Sequence, residues 1–120
     1  MGKYLLLIWG DEAQWGAMSP EDQAAEFEAY TTYGNWLRDK GWMHGGEALQ
    51  PAATSVQVRL REGQVLTTDG PFAETKEQLG GYYLVETESL EEAVDAASKI
   101  PAARGGIIEV KPVLEFGLSE

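Results

Sequence analysis

Cysteine is absent from the 120 residues, which excludes disulfides, thiolate chemistry and cysteine-ligated zinc or iron–sulfur centres. Histidine occurs once, as His44, so any imidazole acid–base step or histidine ligand must use that residue. Basic residues are scarce. The 9 Lys and Arg against 20 Asp and Glu give a formal net charge of −11, a sign that repels phosphate backbones and anionic lipid surfaces. Direct nucleic-acid binding is therefore not expected. Long apolar runs are missing as well: the longest, Tyr4 to Trp9, falls far below the roughly 20 residues of a membrane-spanning helix. No basic start leads into a longer apolar segment with a cleavage site, so neither secretion nor membrane insertion is expected and the cytoplasm is the default compartment.

What is present fits one globular domain over residues 1–120. The 43% apolar and 24% charged content lies near the average for soluble proteins, which argues against disorder or a fibrous repeat. Lys3 to Trp9, bounded by Gly10 and Asp11, reads as a strand buried on both faces. "GDEAQWGAMSP" reads as a loop. Ser19-Pro20-Glu21-Asp22 combines an N-cap serine, a proline at the first helical position and an acid three residues after the cap, which opens a helix reaching about Lys40. Ala24, Phe27, Tyr30 and Leu37 fall on one side of it, the expected core face.

"WMHGGEALQPAAT" reads as a short strand followed by an irregular connection through Pro51. "SVQVRL" alternates, with Val56, Val58 and Leu60 on one face and Gln57, Arg59 and Arg61 on the other, and "REGQ" returns the chain into "VLT". This predicts a hairpin with one wet face. "GYYLVE" is a further strand, Ser89-Leu90-Glu91-Glu92 caps a helix that ends before Pro101, and "GIIEVKPVLEF" supplies the last strand.

The order β-α-β, hairpin, β-α-β is the split βαβ pattern of a ferredoxin-like α+β sandwich with an inserted hairpin. Both helices would then cover one face of an antiparallel sheet. The other face is apolar too: Leu5, Leu7 and Trp9 oppose Tyr4, Leu6 and Ile8, and Tyr82 and Leu84 oppose Tyr83 and Val85. A second copy packing sheet to sheet is the expected cover, which predicts a homodimer.

The same topology brings the ends of the first two strands to the starts of the last two. That edge gathers Asp11 and Glu12, the turn around His44 to Glu47, the Asp69-Gly70-Pro71-Phe72 segment and Arg104, and is the expected site. Asp69 either locks its own turn through backbone N–H groups or holds a carboxylate at a cleft as an acid or base. His44 is a second catalytic candidate. Asp11, Glu47, Phe72, Glu74, Lys76 and Arg104 are ligand-binding candidates. No metal is expected, because Asp11, Glu47, Asp69 and Glu74 lack the spacing of a metal loop. No cofactor is expected either: the glycine pairs at 45, 80 and 105 lack the strand-to-helix context of a phosphate-binding loop.

The stretch "TDGPFAETKEQLGGYYLVE" at 68–86, with "KYLLLIWGDE", "GGEAL", "SLEEAVDAASKIPAA" and "IEVKPVLEF", resembles the DGPF-domain, or YCII-related, family over essentially the whole chain. The resemblance implies the dimeric α/β-barrel type of ferredoxin-like fold. It implies small bacterial cytoplasmic proteins without an assigned reaction, some of them associated with extracytoplasmic-function sigma factors. In shorter members a histidine and an aspartate form a suggested acid–base pair; Asp69 stands at the motif aspartate and His44 is the only available histidine. Two functions are compatible with these residues. One is a module that binds a small polar molecule or acts in a regulatory circuit such as that of a sigma factor; the other is a cofactor-free lyase, isomerase or hydrolase using Asp69. The first is preferred.

Overall fold

The computed structural model describes residues 1–70 and 76–115. Four strands form one antiparallel sheet: β1 Gly2–Gly10, β2 Met43–Ala48, β5 Gln78–Thr87 and β6 Ile107–Pro112, in the order β2-β5-β1-β6. Between β1 and β2 lie α1 Glu12–Ala17 and α2 Pro20–Asp39; between β5 and β6 lies α3 Leu90–Ser98. The central strands are the first and third of the split βαβ pattern, with Leu6 opposite Tyr83 and Val110. This is the α+β, ferredoxin-like arrangement predicted from the sequence. No helix among the described residues is long and apolar enough to cross a membrane.

The helix termini form for local reasons. The Ser19 hydroxyl accepts from the Asp22 N–H at 3.1 Å, with Pro20 in the first turn, and the Ser89 hydroxyl accepts from the Glu92 N–H at 3.3 Å. The core lies between the helices and one sheet face. Leu6, Val85, Leu37 and Ile100 are buried there with Tyr33, whose hydroxyl donates to the Ala96 carbonyl oxygen at 2.8 Å and ties α2 to α3. α3 meets the core with Ala93, Ala96 and Ala97, small side chains that allow close packing.

Three local expectations are corrected. Residues 12–17 are a short helix rather than loop, because the Asp11 carboxylate accepts from the Ala13 N–H at 2.9 Å as an N-cap. Glu12 reinforces it by accepting from the Ala52 N–H at 2.9 Å, while its own N–H donates to the Gln78 side chain at 3.0 Å. In α2 the buried residues are Tyr33, Gly34 and Leu37, whereas Ala24 is exposed and Phe27 remains 64% exposed. The start of α2 overlies a cleft rather than packed core.

The hairpin, β3 Val56–Arg61 and β4 Gln64–Asp69, is a two-stranded sheet of its own. Its turn places Glu62 and Gly63 at φ 51° and 76°, the left-handed pair that matches strand twist in a tight hairpin. Every residue of both strands is exposed, so neither face is covered, although Val56, Val58, Leu60 and Val65 share one of them.

The opposite face of the four-stranded sheet also lies outside the core. Leu5, Leu7, Tyr82 and Leu84 are all half-buried on it, with no helix over them. The described residues measure only 18 Å in their thinnest direction, the depth of one sheet and one helix layer.

Candidate functional site

The ends of β1 and β2 do meet the starts of β5 and β6 at one end of the sheet. Gly10 pairs with Gln78, Trp9 with Ile107 and Ala48 with Gly81. Backbone runs very close there. A β-carbon on Gly106 would collide with the Trp9 carbonyl oxygen and stand 3.2 Å from that of Ala102, so only glycine fits between β1 and the turn Pro101–Arg104.

From this end a cleft of about 1030 Å³ runs between α2 and the helix-covered face of the sheet. One wall is a stripe of α2 at helical spacing, Phe27, Thr31, Gly34 and Arg38; Tyr30 stands beside it. The floor includes Ile8, Met43, Gly46 and Tyr83, and α1 contributes Trp15, whose ring meets Phe27 edge to face at 5.5 Å between centroids. The Tyr83 ring is held by Tyr33, T-shaped at 5.1 Å.

Burial sets the acid–base character of the cleft. The Tyr30 phenol is pushed up to about 12, first by loss of water and then by the Glu26 carboxylate; its hydrogen bond to the Ala102 backbone and the nearby Arg104 oppose this only partly. Burial raises the Tyr83 phenol as well, with the Arg38 guanidinium pulling the other way. Tyr33 beneath them is raised most strongly, again by burial and then by its tyrosine neighbours. At neutral pH these hydroxyls are protonated donors. They can orient a polar group but are poor bases.

The residues singled out from the sequence are distributed as follows. Asp11 lines the cleft, with its carboxylate engaged at the N-cap of α1. Arg104 lines it from the turn after α3; its Nη2 meets Glu26 Oε1 at 3.2 Å and its Nε donates to the Pro101 carbonyl oxygen at 3.2 Å. Glu47 is at the cleft margin on β2, and its pairing with Tyr82 places it with the side chains of the opposite sheet face.

Asp69 ends β4 opposite Val56 and is exposed; it does not line the cleft. His44 Nε2 lies 2.7 Å from Glu86 Oε1 in a partly exposed pair, and His44 too is absent from the cleft lining. Lys76 is exposed beside a separate hollow of about 480 Å³ with Trp9, Ile107 and Glu109. Phe72 and Glu74 lie outside the described residues. Among the described residues no three of His, Asp and Glu gather as a metal-binding group.

Sequence reasoning missed Arg38, Gly34 and Tyr83 as cleft residues. A signal for the first two was present: a glycine in the middle of a well-capped helix, four residues before an arginine, costs helix stability unless space is needed there. Tyr83 could not be paired with them from spacing, because only the fold brings β5 beneath α2.

A family model described as the YCII-related domain matches residues 3–117. An uncharacterised protein of Rhizobium meliloti (strain 1021) is 33% identical over 112 residues, covering 92% of this chain and 90% of its own. The chain belongs to the YCII-related domain family.

Proposed function

We propose that this YCII-related protein is a cytoplasmic homodimer that binds a small molecule in the cleft between α2 and the sheet. The observation that carries the reading is the cleft itself. Its volume of about 1030 Å³ suits a small ligand, its lining is largely apolar, and its polar groups include protonated tyrosines, Arg38 and Arg104, and the carboxylates of Asp11, Glu12, Glu26 and Glu47. The shifted phenols of the cleft stay protonated donors at neutral pH, which suits recognition better than proton abstraction. Asp69, exposed and outside the cleft, adds nothing to a catalytic reading.

Two uncovered surfaces support the second copy. Leu5, Leu7, Tyr82 and Leu84 make an apolar sheet face without a helix layer, and Val56, Val58, Leu60 and Val65 make an apolar stripe on a free-standing hairpin. A stable interface needs about 800 Å² per partner, a size the broad face of a slab measuring 48 by 46 Å can supply. Isolated two-stranded hairpins are marginal in water, so a docking surface would also stabilise β3–β4.

A thermal-shift screen against small metabolites tests the binding function. The expected result is one or more stabilising compounds whose effect is reduced by Phe27→Ala and unchanged by Asp69→Asn. A hit abolished by Asp69→Asn and untouched by Phe27→Ala would move the site away from the cleft.

A further inference from the structure

The cleft holds two arginines, and they differ in one respect. Arg104 is paired with Glu26, whereas Arg38 has no acidic partner among the described residues and meets only the Asn35 side-chain oxygen at 3.4 Å. The Arg38 side chain folds back along α2, as long helical side chains do, and its guanidinium lies against Gly34. Nη1 sits 3.4 Å from the point where a β-carbon on Gly34 would stand. A buried glycine in a helix interior is thus matched to the position of a guanidinium that faces a cavity.

Tyr83 lines the floor of the same cleft, close enough for the Arg38 charge to bear on the acidity of its phenol. Its ring is fixed by the contact with Tyr33. A planar cationic fork and a neutral hydroxyl donor therefore line one cleft within electrostatic reach of each other. That set recognises an oxyanion, and the fork geometry suits a carboxylate.

We propose that Arg38 and Tyr83 anchor the carboxylate of a small apolar acid whose body lies along Phe27, Tyr30 and Met43. A monoanion is favoured over a phosphate dianion, because the lining sets Asp11, Glu12, Glu26 and Glu47 against Arg38 and Arg104 and the chain as a whole carries −11. Gly34 is the surface of α2 against which the guanidinium rests. The assignment rests on the reading of the cleft as a ligand site, and it adds the charge and shape of what binds.

The test is a matched pair of probes, phenylpropionate and its uncharged amide, titrated into the full chain and followed through the backbone amide resonances of Gly34, Gly46 and Tyr83. The expected result is that both compounds move these resonances, with the acid binding at least about tenfold more tightly than the amide. Arg38→Gln removes that preference, and Arg38→Lys, which keeps the charge without the fork, retains part of it. Equal binding of acid and amide to the wild type overturns the anion assignment while the cleft stays a ligand site. Shifts confined to residues outside the cleft, or none at millimolar concentration, overturn the anion assignment and the cleft reading together.

Discussion

The Arg38 guanidinium lies against Gly34, four residues back along α2, with Nη1 3.4 Å from where a β-carbon at position 34 would stand. Replacing glycine by alanine in a helix interior contributes up to about 1 kcal/mol of stability. Arg38 is exposed and flexible at its far end, so it can give way. Gly34→Ala is therefore expected to hold or gain stability, by roughly 0.5–1 kcal/mol in urea unfolding, while weakening discrimination between the acid and amide probes. A clear loss of stability would show that the glycine serves the packing of α2 instead.

Gly106 behaves in the opposite way, because its obstacles are main-chain atoms that cannot rotate aside. A β-carbon there collides with the Trp9 carbonyl oxygen. Gly106→Ala is expected to cost at least about 2 kcal/mol, read as a lower denaturation midpoint with an unchanged m-value. A variant as stable as the wild type would contradict the close approach of β1 to the turn before β6.

Alkaline pH should weaken the fold through the buried phenols. Tyr30, Tyr33 and Tyr83 are all raised above the ordinary value of 10.0, so the native state keeps protons that the unfolded chain releases. Their contribution is complete below pH 10 and is lost as pH rises from there, through about 12 in the case of Tyr30. Unfolding midpoints measured across that window should fall less steeply for Tyr30→Phe than for the wild type. Parallel curves for the two proteins would contradict the burial of Tyr30.

The homodimer makes a separate demand on the uncovered sheet face. Leu7→Glu puts a charge among Leu5, Tyr82 and Leu84 without touching the core on the other side. Sedimentation is expected to show the wild type at twice the chain mass of 13.1 kDa and the variant near the single-chain mass, with the same circular dichroism. A wild type that sediments as a single chain at micromolar concentration ends the dimer proposal.

Much of the fold was legible because its signals are local. Ser19 and Ser89 cap helices with the residues that follow them, and the alternation in β1 and β5 assigns Leu6 and Val85 to a buried face without reference to the rest of the chain. The short helix after Asp11 was not legible, since one local cap does not settle a segment of that length and its reinforcement, the Ala52 N–H on Glu12, is distant in sequence. The hairpin misled for a related reason. Alternation in Val56, Val58 and Leu60 records an apolar face but does not say which surface covers it.

The site divided along the same line. The split topology correctly implied that the ends of β1 and β2 meet the starts of β5 and β6, because strand direction follows from element order. The walls of the cleft did not follow, since Phe27 and Tyr30 carry the same apolar pattern whether they pack into a core or face a cavity. Helical spacing cannot distinguish the two; what the fold sets opposite α2 decides.

The most direct measurement is the position of a bound ligand, obtained by amide chemical-shift mapping with the strongest compound from the metabolite screen. The account predicts perturbations along Phe27, Tyr30, Gly34 and Tyr83, lost in Phe27→Ala and preserved in Asp69→Asn. Perturbations centred on Asp69 and the hairpin, with the cleft resonances unmoved, would contradict it.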